Sequence, residues 1–112
     1  MIIFISAPYT VGDVAINIRK TCLVGDEILK KGHIPLIPHL SHLWHLISPK
    51  PYDTWLDIDL ELLSMCDALL RLPGESKGAD IEVEEAKKLC MIIYYSLEEI
   101  HTAPRKLSGS CK

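Results

Sequence analysis

The chain is missing the features that mark several large classes of protein. No apolar run approaches the roughly 20 residues needed to span a bilayer, and the N-terminus has no basic n-region, so neither a membrane anchor nor a secretory leader is expected. A formal charge of −3 leaves no basic footprint for a nucleic-acid polymer. Cys22, Cys66, Cys90 and Cys111 lack paired metal-ligand spacing, and three of them fall in helical segments. Free thiols in a reducing cytoplasm are the plain reading. Neither a Gly-Lys-Ser/Thr phosphate loop nor a Gly-x-Gly-x-x-Gly dinucleotide turn occurs. There is no internal repeat, and no cofactor is expected.

What remains is a chain of 112 residues, 48% hydrophobic, which suits one domain with a real core. Ile2-Ile3-Phe4-Ile5 reads as a short, fully apolar strand, and Ser6–Gly12 as the turn after it. A helix follows from about Asp13 to Lys31, stopped by Gly32. His33–Pro38 is a second strand, placed at a sheet edge because Pro35 has no N–H to give a neighbour. A loop rich in His, Pro and Trp spans roughly His39 to Tyr52, and Asp53 or Thr54 then caps a helix to about Cys66. Ala68–Leu72 is strand three, Ala79–Leu89 a helix, and Met91–Tyr95 strand four. The domain is expected to cover residues 1–100, with residues 101–112 a polar, mobile tail. Strand–helix alternation implies a small parallel sheet between two helical layers. Its economical order is 2-1-3-4, so ligands are expected at the strand ends beside the gap between strands one and three. The loops leaving those strands are Ser6–Gly12 and Pro73–Gly78.

One acidic residue stands where the third helix should hide its apolar side. At about 100° per residue, Ala79, Val83, Ala86, Leu89 and Cys90 form one stripe, and Glu82 falls inside it. Asp80, Glu84, Lys87 and Lys88 point the other way. On the preceding helix Trp55, Ile58, Leu62, Leu63 and Cys66 build the inner face, and Asp59 projects into its middle. A carboxylate turned inward costs desolvation free energy unless something uses it. Asp59 could pair structurally with a base such as Arg71, and Glu82 could merely favour a helix dipole. Two inward acids beside one switch point instead suit acid–base or nucleophilic chemistry, because a close pair drives its pKa values apart. Glycosyl transfer uses such pairs.

Ser76-x-Gly78 at the helix entry offers a hydroxyl and backbone N–H groups to a phosphate or sugar hydroxyl, although such turns also cap helices generally. His39, His42 and His45 spread over about 120° of a helix, too wide for a zinc pair at i and i+4. They are read as a pocket-lining loop with His39 nearest the sheet, and no metal is expected. Trp44, Tyr52 and Trp55 are read as core or lid packing, with base stacking the alternative.

The series Phe4-Ile5-Ser6-Ala7-Pro8-Tyr9, then Asp59, then Ser76-x-Gly78-x-x-x-Glu82-x-x-x-Ala86 resembles the nucleoside 2-deoxyribosyltransferase superfamily, which includes N-glycoside hydrolases of nucleoside 5′-monophosphates. The likeness runs from Ile2 to about Tyr95. It implies a flavodoxin-like, Rossmann-like fold with Glu82 as nucleophile on the sugar C1′ and Asp59 orienting the sugar or assisting protonation of the base. Ser76 and Gly78 would line the sugar or phosphate end, with Ser6, Pro8 and Tyr9 opposite. The sequence departs from the family at Glu84, where members often carry Gly, and at Tyr9, near which some monophosphate hydrolases place a phosphate-gripping Arg. The expected activity is cleavage or transfer of an N-glycosidic bond in a nucleoside or nucleotide, hydrolysis being favoured because nothing marks a second base pocket. A non-catalytic nucleotide-binding or sensor module is the rival. The resemblance also implies a homodimer or larger homo-oligomer, with the His39–Tyr52 loop or the following helix at its interface.

Overall fold

A computed structural model describes residues 1–103. Four parallel strands, β1 (Ile2–Ser6), β2 (Ile34–Leu36), β3 (Ala68–Arg71) and β4 (Ile92–Tyr94), form one sheet in the order β2-β1-β3-β4. The expected α/β architecture and strand order are therefore observed. β1 pairs with β2 from Ile2 opposite Ile34 to Phe4 opposite Leu36, and with β3 from Ile3 opposite Ala68 to Ser6 opposite Arg71. The Pro35 strand lies at the edge, where its missing donor breaks no ladder.

Alternation along β1 divides the core. Ile3 and Ile5 face α1 (Val14–Lys30) and pack with Ile28, Ala68, Leu70 and Ile100. Phe4 faces the other layer and packs with Leu63, Leu69, Val83 and Ala86. That layer consists of α3 (Tyr52–Ser64) and α4 (Lys77–Lys88). Asp13 caps α1 by accepting from the Ile16 N–H. At its other end Gly32 adopts φ +88°, and the N–H groups of Gly32 and His33 close on Leu29 and Ile28, a Schellman arrangement.

Three expectations are corrected. The segment after β2 is not a loop: a 3-10 turn over Pro38–Ser41 runs into α2 (His42–Ile47). Its six residues are too few to show a period, and side-chain contacts made across the fold hold it in place. Next, α3 begins at Tyr52 after Pro51, with neither Asp53 nor Thr54 as cap. Proline at that point presets the entry angle without a side-chain bond. Finally, Leu89 and Cys90 are exposed rather than part of the buried stripe, because α4 ends at Lys88 and Cys90 turns to φ 56°.

Among the described residues no helix is long and apolar enough to cross a membrane. The tail from Pro104 onward, with Cys111, lies outside the described residues. Ahead of it, His33 Nε2–H donates to the His101 carbonyl at 2.8 Å and Ala103 N–H to Lys31 at 2.7 Å.

Candidate active site

The loops leaving β1 and β3 meet at the carboxyl edge of the sheet. Gly74 adopts φ +118°, and a Cβ there would stand 2.8 Å from the Pro8 ring, so the two loops close on each other only because this residue is glycine. Beside them opens a cavity of about 660 Å³, walled by Tyr9–Val11, by the Pro38–His39 turn, by one face of α3 and by the first two turns of α4.

Glu82 enters from α4 and is 7% exposed. Its Oε1 accepts a hydrogen bond from the Ser6 hydroxyl at 2.7 Å. Burial lifts its carboxyl from the ordinary 4.5 to about 8; the Ser6 bond opposes that rise, Asp59 adds to it and Arg71 reduces it. Asp59 lines the same cavity from α3, and burial raises it from 3.8 to about 6. Arg71 does not pair with Asp59. It reaches Asp80 at 3.1 Å and the Gly74 carbonyl at 2.9 Å. The two inward acids are thus left facing the cavity together, both biased toward their protonated forms.

Ser76 is the N-cap of α4: its Oγ accepts from the Ala79 N–H at 3.1 Å. Gly78 follows in the first turn, where a Cβ would come within 3.3 Å of the Tyr52 hydroxyl. The first turn of the helix thus lines the cavity, and a helix N-terminus favours anions and hydroxyls beside it. His39 is buried and donates from Nε2 to the Pro8 carbonyl at 2.8 Å; burial lowers its pKa, against that hydrogen bond. The ring of Tyr9 lies edge-on to His39 and His42, and its hydroxyl bonds to His42 Nδ1. His45 Nδ1 accepts from the Trp55 indole N–H at 2.7 Å. Those bonds tie the segment Pro38–Ile47 to the sheet loop and to α3. Among the described residues no three His, Cys, Asp or Glu side chains converge as a metal site would require.

Of the expected site residues, Glu82, Asp59, Tyr9, His39, Ser76 and Gly78 all line the one cavity. Ser6 and Pro8 do not. Ser6 is wholly buried behind Glu82, and Pro8 is occupied in packing on Gly74 and accepting from His39. Tyr52 and Trp55, expected as core or lid packing with base stacking the alternative, also line the cavity, as does Lys50 from the segment before α3. A signal for two of them was available: Tyr52, Trp55 and Asp59 recur at helical spacing, so any face that turns Asp59 inward brings the aromatics with it.

A search of curated proteins by sequence returns no match. Among solved structures, a 2-deoxyribosyltransferase from the psychrotolerant bacterium Bacillus psychrosaccharolyticus superposes with a TM-score of 0.63 at 14% identity, over 83% of this chain and 69% of that one. A 2-deoxyribosyltransferase from Leishmania mexicana superposes with a TM-score of 0.59 at 21% identity, over 82% of this chain but only 61% of its own. The fold is accordingly that of the nucleoside 2-deoxyribosyltransferases. Residues 1–96 match one family model, and the chain belongs to that family, described as Domain of unknown function (DUF7768).

Proposed function

We propose that the protein breaks the N-glycosidic bond of a nucleoside or nucleoside 5′-monophosphate, with retention, through a glycosyl ester on Glu82. The observation that carries this reading is the pair of buried carboxyls, Glu82 and Asp59, in one cavity at the switch point of the sheet. The 2-deoxyribosyltransferase fold of the two solved structures supports it at the level of architecture.

In the first step a Glu82 oxygen attacks C1′. The C1′–N bond breaks, its electron pair goes to the base, and the base takes up a proton. Glu82 must be ionised to attack, yet burial keeps its proton on to about pH 8. That proton must therefore leave before or during attack, and Asp59, the more acidic of the pair, is assigned to pass it to the departing base. In the second step water attacks C1′ and Glu82 leaves, with Asp59 accepting the proton from water. Water is proposed as acceptor, in preference to a second base, because no feature of the sequence marks a second base site. Ser76 and the backbone at Gly78 are assigned to the sugar or its 5′-phosphate, and Tyr9 and His39 to the facing wall.

Mass spectrometry of free base released from a panel of nucleosides and 5′-monophosphates tests the reading. Release by the wild type, and a glycosyl adduct on Glu82, are the expected results. Ligand binding without any base release would instead establish a nucleotide-binding or sensor module on the same fold.

A further inference from the structure

Ser6 is 0% exposed at the end of β1, and alternation along the strand turns it, like Phe4, toward the α3–α4 layer. It cannot reach a ligand directly. Its hydroxyl has two neighbours, Glu82 Oε1 at 2.7 Å and the Ala79 carbonyl at 3.3 Å. A hydroxyl has one proton to give and can also accept. When Glu82 is protonated, its O–H can donate to Ser6 Oγ while Ser6 donates to Ala79. Once Glu82 is ionised, the Ser6 proton has a charged acceptor and turns to Oε1. Among the described residues no buried side-chain oxygen lacks a partner, so Glu82 Oε2, which has no protein partner there, is open to the cavity.

We propose that Ser6 is a positioning residue for Glu82: it clamps Oε1, turns its proton from Ala79 to the carboxylate as Glu82 ionises, and leaves Oε2 as the attacking oxygen. The catalytic part of this assignment rests on the proposed function; the clamp itself does not. Other groups also face Glu82. Asp59 and Tyr52 approach from α3 and Arg71 from β3, while His39 lines the same cavity, but none of them hydrogen-bonds to Glu82 among the described residues. Ser6 alone supplies a bond that is stronger to the charged form than to the neutral one.

The test is the titration of the Glu82 side-chain carboxyl in the free protein, followed by 13C NMR with labelled glutamate and assigned by the signal lost in Glu82→Gln. In Ser6→Ala the midpoint should rise by about one pH unit, while Ser6→Thr, which keeps a hydroxyl, should titrate with the wild type. Circular dichroism establishes that each variant is folded; should Ser6→Ala fail, Ser6→Cys gives the same comparison with a poor donor of similar size. A midpoint unchanged in the folded variant lacking a good donor overturns the assignment, whether or not the enzyme releases base. Where base is released, the limb of kcat/KM against pH whose midpoint matches the Glu82 titration should move with the carboxyl, and a limb that stays fixed also overturns it. Absence of base release by the wild type would count against the proposed function alone, because the titration still decides the role of Ser6.

Discussion

At the scale of residues, the site is defined by two acids whose free energies run against their burial. Glu82 titrates near 8 in the fold and near 4.5 in an exposed chain, so the folded state keeps the proton longer. Stability is then undiminished below about pH 4.5, falls as pH rises toward 8, and levels off above it. Glu82→Gln cannot ionise and should escape that loss, becoming more stable than wild type by a few kcal/mol at pH 8 while matching it at pH 4. Thermal denaturation across this range checks the crossover. The same variant, or Glu82→Ala, should lower base release by about 10³-fold or more with the fold intact. Since attack needs an ionised carboxylate while the departing base needs the pair's remaining proton, wild-type kcat/KM should be bell-shaped, rising near pH 6 and falling above about 8. Asp59 is less deeply buried and has no ion-pair partner among the described residues. Asp59→Asn should therefore leave the melting temperature level or raised while activity falls. A large loss of stability with activity per folded molecule preserved would instead make Asp59 a structural group.

At the scale of elements, the two ends of α4 do different jobs. Its start, capped by Ser76, faces the cavity; its end closes with the Met91 N–H on Ala86 and the Cys90 N–H on Lys87, both at 3.0 Å. This is the hydrogen-bond pattern found after α1, but the left-handed position is occupied by Cys90 at φ 56°, where α1 has Gly32. A side chain in that region costs about 1 kcal/mol relative to glycine, part of which glycine gives back through its freer unfolded chain. Cys90→Gly should thus stabilise the protein by roughly 0.5 kcal/mol without altering activity, because the position lies at the far end of α4 from the cavity. Chemical denaturation measures the gain. The turn and α2 are a different kind of element: short, apolar, and held by the Tyr9–His42 and Trp55–His45 bonds in place of a buried face of their own.

At the scale of the molecule, that short helix is where the surface is least like a monomer's. Leu40, Leu43, Trp44, Leu46 and Ile47 are all exposed, Ile47 at 78%, and the Trp44 ring packs edge-on against Trp55 of the cavity wall, 5.0 Å between centroids. So many exposed apolar side chains within eight residues of chain suggest an interaction site. A symmetric homo-oligomer formed through α2 or α3 is expected, with light scattering giving at least twice the 12.6 kDa of one chain. Ile47→Glu should dissociate it at micromolar concentration. A wild-type monomer with full activity would remove the assembly from the account.

Much of this protein was legible in local pattern. The strand–helix alternation, the edge position of the Pro35 strand and the inward turn of Glu82 and Asp59 all follow from periods of two and 3.6 residues, which neighbouring side chains alone reveal. The 2-1-3-4 order then follows because short right-handed crossovers permit few alternatives. Local pattern could not show that α2 is helical or that Leu89 and Cys90 end outside the core. Nor could it separate Ser6, clamped to Glu82 from 76 residues away, from the residues that line the cavity itself. These were decided by contacts between segments far apart in the chain, which form only when the sheet edge, α3 and α4 are brought together and one side chain stands in front of another.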